Sequence, residues 1–154
     1  MTITCTPAFA EASAGRRHLF AAALACTVAL TSCVAQATAN LENTYWKLTL
    51  LGDVPVIAGE KQREPHLVLR SQDQRVSGSS GCNRLMGGYT REGGTLAFSR
   101  LAGTRMACAE GMDTEQHFLA VLEQVKTWKI VGGHLGLLDA GGRLLARFEA
   151  RDLQ

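Results

Sequence analysis

The feature that most constrains the fold is a series of short apolar runs separated by glycine-containing turns. The first run, Thr44 to Leu50, alternates so that Trp46, Leu48 and Leu50 share one face, which is the period of a half-buried β-strand. Later runs are separated by glycine pairs typical of hairpin turns, at positions 93–94, 132–133 and 141–142. The spacing predicts antiparallel strands, with Trp46 as an anchor of the core.

The predicted strands have in common a length of three to eight residues and flanking turn residues. They are Thr44–Leu50, Val54–Ile57, His66–Arg70, Arg75–Ser80, Tyr89–Arg91, Thr95–Phe98, Thr127–Val131, His134–Leu138 and Leu144–Phe148, with Leu101–Cys108 extended but irregular. The glycines around Cys82 favour a bulged segment rather than a regular strand.

One helix is indicated between these strands. Asp113 is the predicted N-cap, Gln116 stands at capping-box spacing, and Phe118, Leu122 and Val125 recur at i, i+4 and i+7. Such an apolar stripe packs on a sheet. The chain is therefore predicted to be mostly β (α+β), a curved antiparallel sheet or small open barrel with one packed helix.

Residues 1–32 predict a lipoprotein-type signal peptide. Arg16 and Arg17 precede the apolar stretch Leu19 to Leu30, which is too short to cross a bilayer. The stretch ends in a sequence that resembles a bacterial lipobox, so Cys33 is the predicted lipidation site and anchors the chain to the membrane by its acyl groups. Val34 follows it instead of the aspartate that retains lipoproteins in the inner membrane, and this resemblance favours the periplasmic face of the outer membrane.

Two alternatives for the N-terminus stay open. One is a plain cleaved signal, cut after Ala37 or Ala39, and the other is export through a twin-arginine signal. In the lipoprotein interpretation, residues 33–43 form a flexible tether because they are small and polar without a period. The folded domain is then predicted to span residues 44–150.

Charge and length restrict the class of protein. Of the 154 residues, 122 remain after the signal, enough for one domain. Removing Arg16, Arg17 and Glu11 leaves 14 basic and 13 acidic side chains. Nucleic-acid surfaces need clustered Lys and Arg, so nucleic acid is not an expected partner. We expect a monomer.

The cysteines divide between the signal and the domain. Cys5 and Cys26 belong to the signal and Cys33 takes lipid, which leaves Cys82 and Cys108 in an oxidising compartment. A bridge between them would close a loop of about 26 residues and stabilise the fold by roughly 3 kcal/mol. The alternative is a pair of buried free thiols.

Two segments carry a resemblance to a known family. Gly81-Cys82-Asn83-Arg84 and Thr104-Arg105-Met106-Ala107-Cys108, with Trp46-Lys47-Leu48 before them and the helix after them, resemble the META/HslJ family over Leu41 to Glu149. The resemblance implies a small bacterial envelope protein, often a lipoprotein, that is heat-inducible and linked to novobiocin tolerance. It also implies no catalytic activity and no cofactor.

Six residues take the family motif positions: Gly81, Cys82, Asn83, Thr104, Met106 and Cys108. We interpret them as structural, with the Asn83 amide satisfying backbone groups and the Met106 side chain filling core space. The alternative is a polar recognition patch formed by Asn83, Arg84 and Arg105.

Patterns for catalysis and metal binding are weak. His66, His117 and His134 are isolated, and the cysteines form no Cys-x-x-Cys pair, so neither a catalytic residue nor a metal ligand is predicted. Acidic residues near the helix start are favourable to the helix dipole. Three functions remain: a membrane-tethered stress-response protein that binds an envelope protein, a barrel that binds a small apolar ligand, and an inhibitor of a secreted hydrolase.

Overall fold

The computed structural model describes residues 39–58, 62–108 and 111–152, and these form nine strands and one helix. In chain order the elements are β1 (Tyr45–Leu51), β2 (Val54–Pro55), β3 (His66–Arg70), β4 (Arg75–Ser79), β5 (Arg84–Glu92), β6 (Thr95–Gly103), α1 (Met112–Gln124), β7 (Thr127–Val131), β8 (His134–Leu138) and β9 (Leu144–Arg151). The predicted signal peptide and Cys33 lie outside the described residues.

The strands form one antiparallel sheet in the order β2-β1-β3-β4-β5-β6-β7-β8-β9. The sheet curves until β1 also pairs with β9, from Tyr45 opposite Arg151 to Leu51 opposite Ala146. Strands β6 and β7 share one residue pair, Thr95 with Thr127, so the sheet is not a regular barrel. The predicted mostly β fold, a curved antiparallel sheet with one helix, is confirmed.

The interior of the curved sheet is filled by side chains. Trp46, Phe118 and Phe148 are fully buried and belong to one cluster that includes residues of the helix and of most strands. The Trp46 indole N–H donates to the Leu41 carbonyl at 2.8 Å, so its polar atom is satisfied. Truncating a buried tryptophan of this kind costs about 3 to 5 kcal/mol. Trp46 is the core anchor that the alternation predicts.

The helix buries the predicted side chains but begins differently. Phe118, Leu122 and Val125 are at most 1% exposed. Gly111 is the N-cap, with φ of 85°, and no side chain caps the helix. The predicted Asp113 cap is therefore wrong: the left-handed turn at Gly111, which a glycine adopts without strain, starts the helix before Asp113.

Strand lengths also differ from the prediction. β5 and β6 pair from Glu92 opposite Thr95 to Leu85 opposite Gly103, with a bulge between Met86 and Gly88, and are longer than the predicted hairpin. The extended segment after Leu101 leaves the sheet at Gly103. Its remaining part, Thr104 to Cys108, is irregular.

The packed domain includes residues that the sequence analysis places in the tether. Leu41 is 5% exposed, the Asn43 amide donates to the Leu69 carbonyl at 2.7 Å, and Glu42 accepts a 2.6 Å hydrogen bond from the Tyr89 hydroxyl. Residues 41–43 thus pack on the sheet. Leu41 is a single apolar residue without a periodic pattern around it, so the sequence did not indicate that this segment packs on the sheet.

Candidate functional site

The two motif segments meet outside the regular part of β5 and β6. Cys82 and Cys108 form a disulfide with their Cα atoms 6.0 Å apart, which confirms the predicted bridge. The bridge joins positions 26 residues apart and fixes the irregular segment after β6 to the segment before β5. Closing a loop of this length contributes about 3 kcal/mol in the chain-entropy model.

The Asn83 side chain is the centre of this junction. It is 2% exposed, and its Oδ1 accepts hydrogen bonds from the Thr104 hydroxyl at 2.7 Å and the Met106 amide at 2.8 Å. Its Nδ2 donates to the Met106 carbonyl at 3.2 Å and to the two carboxylate oxygens of Glu115 at 3.1 and 2.9 Å. These bonds use both lone pairs and both N–H groups of the amide. Asn83 therefore links the first motif segment to the second and to the helix.

The backbone of Asn83 closes a tight turn with the end of β4. Its carbonyl accepts hydrogen bonds from the Ser80 amide at 2.9 Å and the Ser80 hydroxyl at 3.0 Å, and Ser79 contributes a third at 3.3 Å. Gly81 lies in this turn with φ of 106°, a backbone conformation that residues other than glycine rarely adopt. These bonds fix the backbone of Asn83, and the fixed backbone orients its side-chain amide toward the second motif segment.

Glu115 supplies the helix side of the junction. It lies in the first turn of α1 and is 9% exposed, which is unusual for a carboxylate unless it is hydrogen bonded. The acidic residues near the helix start are expected from the sequence only as charges favourable to the dipole. The structure adds a second role for one of them, because both oxygens of the Glu115 carboxylate lie within hydrogen-bond distance of Asn83 Nδ2.

Met106 does not fill the core. Its side chain is 58% exposed, and the residue takes part through its backbone, whose N–H and C=O both bond to Asn83. The predicted core role of Met106 is wrong, because the peptide group of this residue faces the amide and the side chain then projects outward. Thr104 does have a structural role: its hydroxyl also accepts the Arg84 amide hydrogen at 3.1 Å.

Four exposed residues follow or flank the junction residues in sequence, and we call them the motif rim: Arg84, Met86, Arg105 and Met106. Arg84 and Arg105 have no ion-pair partner within the described residues. Asn83 is buried beneath them, so the predicted recognition patch of Asn83, Arg84 and Arg105 retains only its two arginines as accessible groups.

A family model described as META domain matches residues 39–152, the whole of the described sheet and helix. The chain belongs to the META domain family. The prediction from the two cysteine motifs is confirmed.

Solved structures share the fold. A protein from Burkholderia xenovorans, determined by NMR, is 28% identical with a TM-score of 0.61 over 73% of this chain and 85% of its own. A second protein determined by NMR is 22% identical with a TM-score of 0.57 over 71% of this chain and 90% of its own, and shows the fold alone. No curated protein matches the chain.

Two histidines of this META domain, His66 and His134, make their ring contacts with residues outside the motif segments. His66 stacks on Tyr45 with ring centroids 4.3 Å apart, and its Nδ1 lies 2.8 Å from the Glu64 carbonyl. His134 Nδ1 lies 3.0 Å from the Gly132 carbonyl. In the described part of the chain, no three His, Cys, Asp or Glu side chains are placed to hold a metal ion. Nor does that part contain a helix with the length and hydropathy of a membrane span.

The Tyr89 hydroxyl has a raised pKa. Burial, the hydrogen bond to Glu42 and the charge of that carboxylate raise the pKa of the Tyr89 hydroxyl well above its usual value. The hydroxyl lies 3.1 Å from the Arg70 carbonyl and 2.6 Å from Glu42 Oε1. A phenol with a raised pKa is a poor nucleophile, and Tyr89 holds the N-terminal segment to the sheet.

Proposed function

We propose that the chain is a non-catalytic protein of the bacterial envelope, anchored to the membrane through lipidated Cys33, that acts by binding envelope proteins at the motif rim. A role in heat or antibiotic tolerance follows from the resemblance of the motifs to the META/HslJ family. The lipobox-like sequence before Cys33 supports the anchor, and Val34 in place of an aspartate after Cys33 supports the periplasmic face of the outer membrane.

The proposal is supported by a difference between two groups of motif residues: some are buried and fully hydrogen bonded, and others are exposed. The polar atoms of the Asn83 amide are all used inside the junction, so they are not available to react with or bind another molecule. The side chains of Arg84 and Arg105 are exposed and lack ion-pair partners among the described residues. Arginine and methionine on a rigid frame are residue types enriched at protein interfaces.

A photo-crosslinking amino acid at Met106, in cells that express the full chain, tests the proposal. We expect one dominant adduct, lost in the charge-reversed variant Arg84→Glu/Arg105→Glu. The matched control reverses two exposed charges elsewhere, Arg75→Glu/Lys126→Glu, and keeps the adduct. An adduct that persists in the rim variant, or no adduct at any expression level or growth temperature, would contradict binding at the rim.

The anchor has its own test. We expect Cys33→Ser to release the chain from membranes while its unfolding curve stays that of the parent, because the core cluster of the domain is formed by residues between Ala39 and Ala150. Fractionation of cells followed by denaturant unfolding of the released chain measures both. A variant that still sediments with membranes would contradict lipidation at Cys33.

Inhibition of a secreted hydrolase is the second candidate, and one observation favours it. Thr104 to Ala107 forms an exposed segment that the disulfide and Asn83 hold rigid, as inhibitory loops are held. If the adduct at Met106 contains a hydrolase whose activity falls on addition of the purified chain, this candidate replaces the first. The filled interior argues against the third function, a small apolar ligand inside the barrel.

A further inference from the structure

A groove of about 530 Å³ crosses the outer face of β7, β8 and β9. Its floor is Gly136, which pairs with Lys129 on β7 and with Arg147 on β9. Residues directly paired in an antiparallel sheet project to the same face. Leu135 and Leu137, on either side of Gly136, are 0% exposed and lie in the core, so this face is the outer one. Two cationic side chains therefore flank a position that has no side chain.

Apolar side chains line the rest of the groove. Val131 is 70% exposed, and Leu138 and Leu144 are half-buried. A Cβ at Gly136 would lie 3.1 Å from Leu144 Cδ1 and 3.6 Å from Lys129 Cγ. The Leu144 and Lys129 side chains thus pack closely over Gly136, and a larger residue there would displace them. We call Lys129, Val131, Gly136, Leu138, Leu144 and Arg147 the glycine groove.

The charges of the glycine groove are not neutralised within the described residues. No carboxylate lines it, and neither Lys129 nor Arg147 has an ion-pair partner there. The carboxylates nearest in sequence and register are engaged elsewhere: Glu149 bonds to Arg151 at 3.0 Å and Asp139 to Arg143 at 3.2 Å. The His134 ring also lines the groove. The groove is chemically complementary to an anion that carries hydrocarbon.

We propose that the glycine groove binds a single-chain anionic amphiphile. Its phosphate or carboxylate head lies between Lys129 and Arg147, and its chain lies along Val131, Leu138 and Leu144. The volume falls in the range of small-molecule sites, which is roughly 300 to 1,000 Å³. This site is on the outside of the sheet and is separate from both the motif rim and the filled interior.

Titration of the ¹⁵N-labelled full chain, followed by NMR, tests the proposal. The probes are octyl phosphate and octanoate below their aggregation concentrations, with inorganic phosphate and octanol as controls that lack one half of the ligand. We expect one or both amphiphiles to shift the amide signals of Lys129, Gly136 and Arg147, and each control to bind at least about tenfold more weakly. Preference for octyl phosphate identifies a phosphorylated headgroup, and preference for octanoate identifies a fatty acid.

Charge reversal distinguishes binding in the groove from nonspecific attraction of anions to the positive charges of the protein. We expect Lys129→Glu/Arg147→Glu to weaken amphiphile binding at least about tenfold, while Arg75→Glu/Arg100→Glu, two exposed positions on β4 and β6 with the same change in net charge, binds like the parent. If the double variant does not fold, the single changes Lys129→Gln and Arg147→Gln keep part of each aliphatic stem and serve instead. The proposal is overturned if neither amphiphile shifts the groove signals, if a control probe binds as tightly, or if the groove variants bind like the parent.

Discussion

Replacing Asn83 by alanine is the perturbation whose cost follows most directly from the structure. It removes three hydrogen bonds to neutral partners, on Thr104 and Met106, and leaves the Glu115 carboxylate without its two bonds. A neutral bond contributes about 0.5 to 1.5 kcal/mol net, and a bond to a charged group about 1.5 to 3 kcal/mol. With partial relaxation of the segment, we expect Asn83→Ala to lower the free energy of unfolding by about 3 to 5 kcal/mol.

Urea unfolding of the full chain with the disulfide intact measures this cost, with Asn40→Ala as the control. Asn40 is exposed and its side chain makes no bond in the described structure, so its replacement should change the free energy of unfolding by less than about 0.5 kcal/mol. The double variant Asn83→Ala/Glu115→Ala should lose clearly less free energy of unfolding than the sum of the losses of the two single variants, because it no longer buries an unpaired carboxylate. A loss of less than about 1 kcal/mol for Asn83→Ala, or strict additivity in the double variant, would show that the Asn83 bonds do not stabilise the junction.

Three further predictions concern the disulfide, a buried phenol and a strand glycine. Cys82→Ala and Cys108→Ala should each lower the free energy of unfolding by about 3 kcal/mol, and the double variant by no more than either, as chemical denaturation would show. Because the pKa of the Tyr89 hydroxyl is raised in the folded state, its stabilising effect is complete below the unfolded value of about 10 and declines as pH rises above it. The stability difference between the parent and Tyr89→Phe should therefore narrow in denaturation series above that pH. Gly78→Ala should cost about 1 to 3 kcal/mol because its Cβ would overlap the backbone of the facing strand, whereas Gly94→Ala, in open space, should not.

Each of these three predictions would be contradicted by a different result. Additive cysteine variants would indicate two independent thiols. A constant stability difference for Tyr89→Phe across alkaline pH would mean that the phenol titrates normally. Equal melting temperatures for Gly78→Ala and Gly94→Ala would mean that β3 and β4 accommodate the added methyl group without loss of stability.

Local patterns predicted most of the fold. Alternation placed Trp46 inside β1, and the i, i+4, i+7 spacing placed Phe118 and Leu122 on the buried face of the helix. These are properties of consecutive residues, so one sequence suffices to read them. The helix start was missed because Asp113 has the side chain of an N-cap, whereas Gly111 acts by its backbone conformation, which composition alone does not report.

The junction of the two motifs was only partly predictable. The resemblance indicated a structural role for Asn83, yet its bonds to Thr104, Met106 and Glu115 span 21 to 32 residues, and no periodicity encodes such distances. For Met106, the residue type suggested the core, but the side chain is exposed because its backbone is held inward. Glu115 stands three and seven residues before Phe118 and Leu122 and so shares their buried face; this spacing was the available signal that its carboxylate needs a partner.

The motif residues form a buried structural junction, and the exposed rim is left for recognition. Hydrogen exchange of the Asn83 side-chain amide, observed by NMR under native conditions, distinguishes a buried junction from an exposed polar patch. We expect these two protons to exchange only when the domain unfolds, so that their free energy of exchange equals the global free energy of unfolding. Exchange at the rate of a solvent-exposed asparagine amide in the stable, folded protein would contradict it.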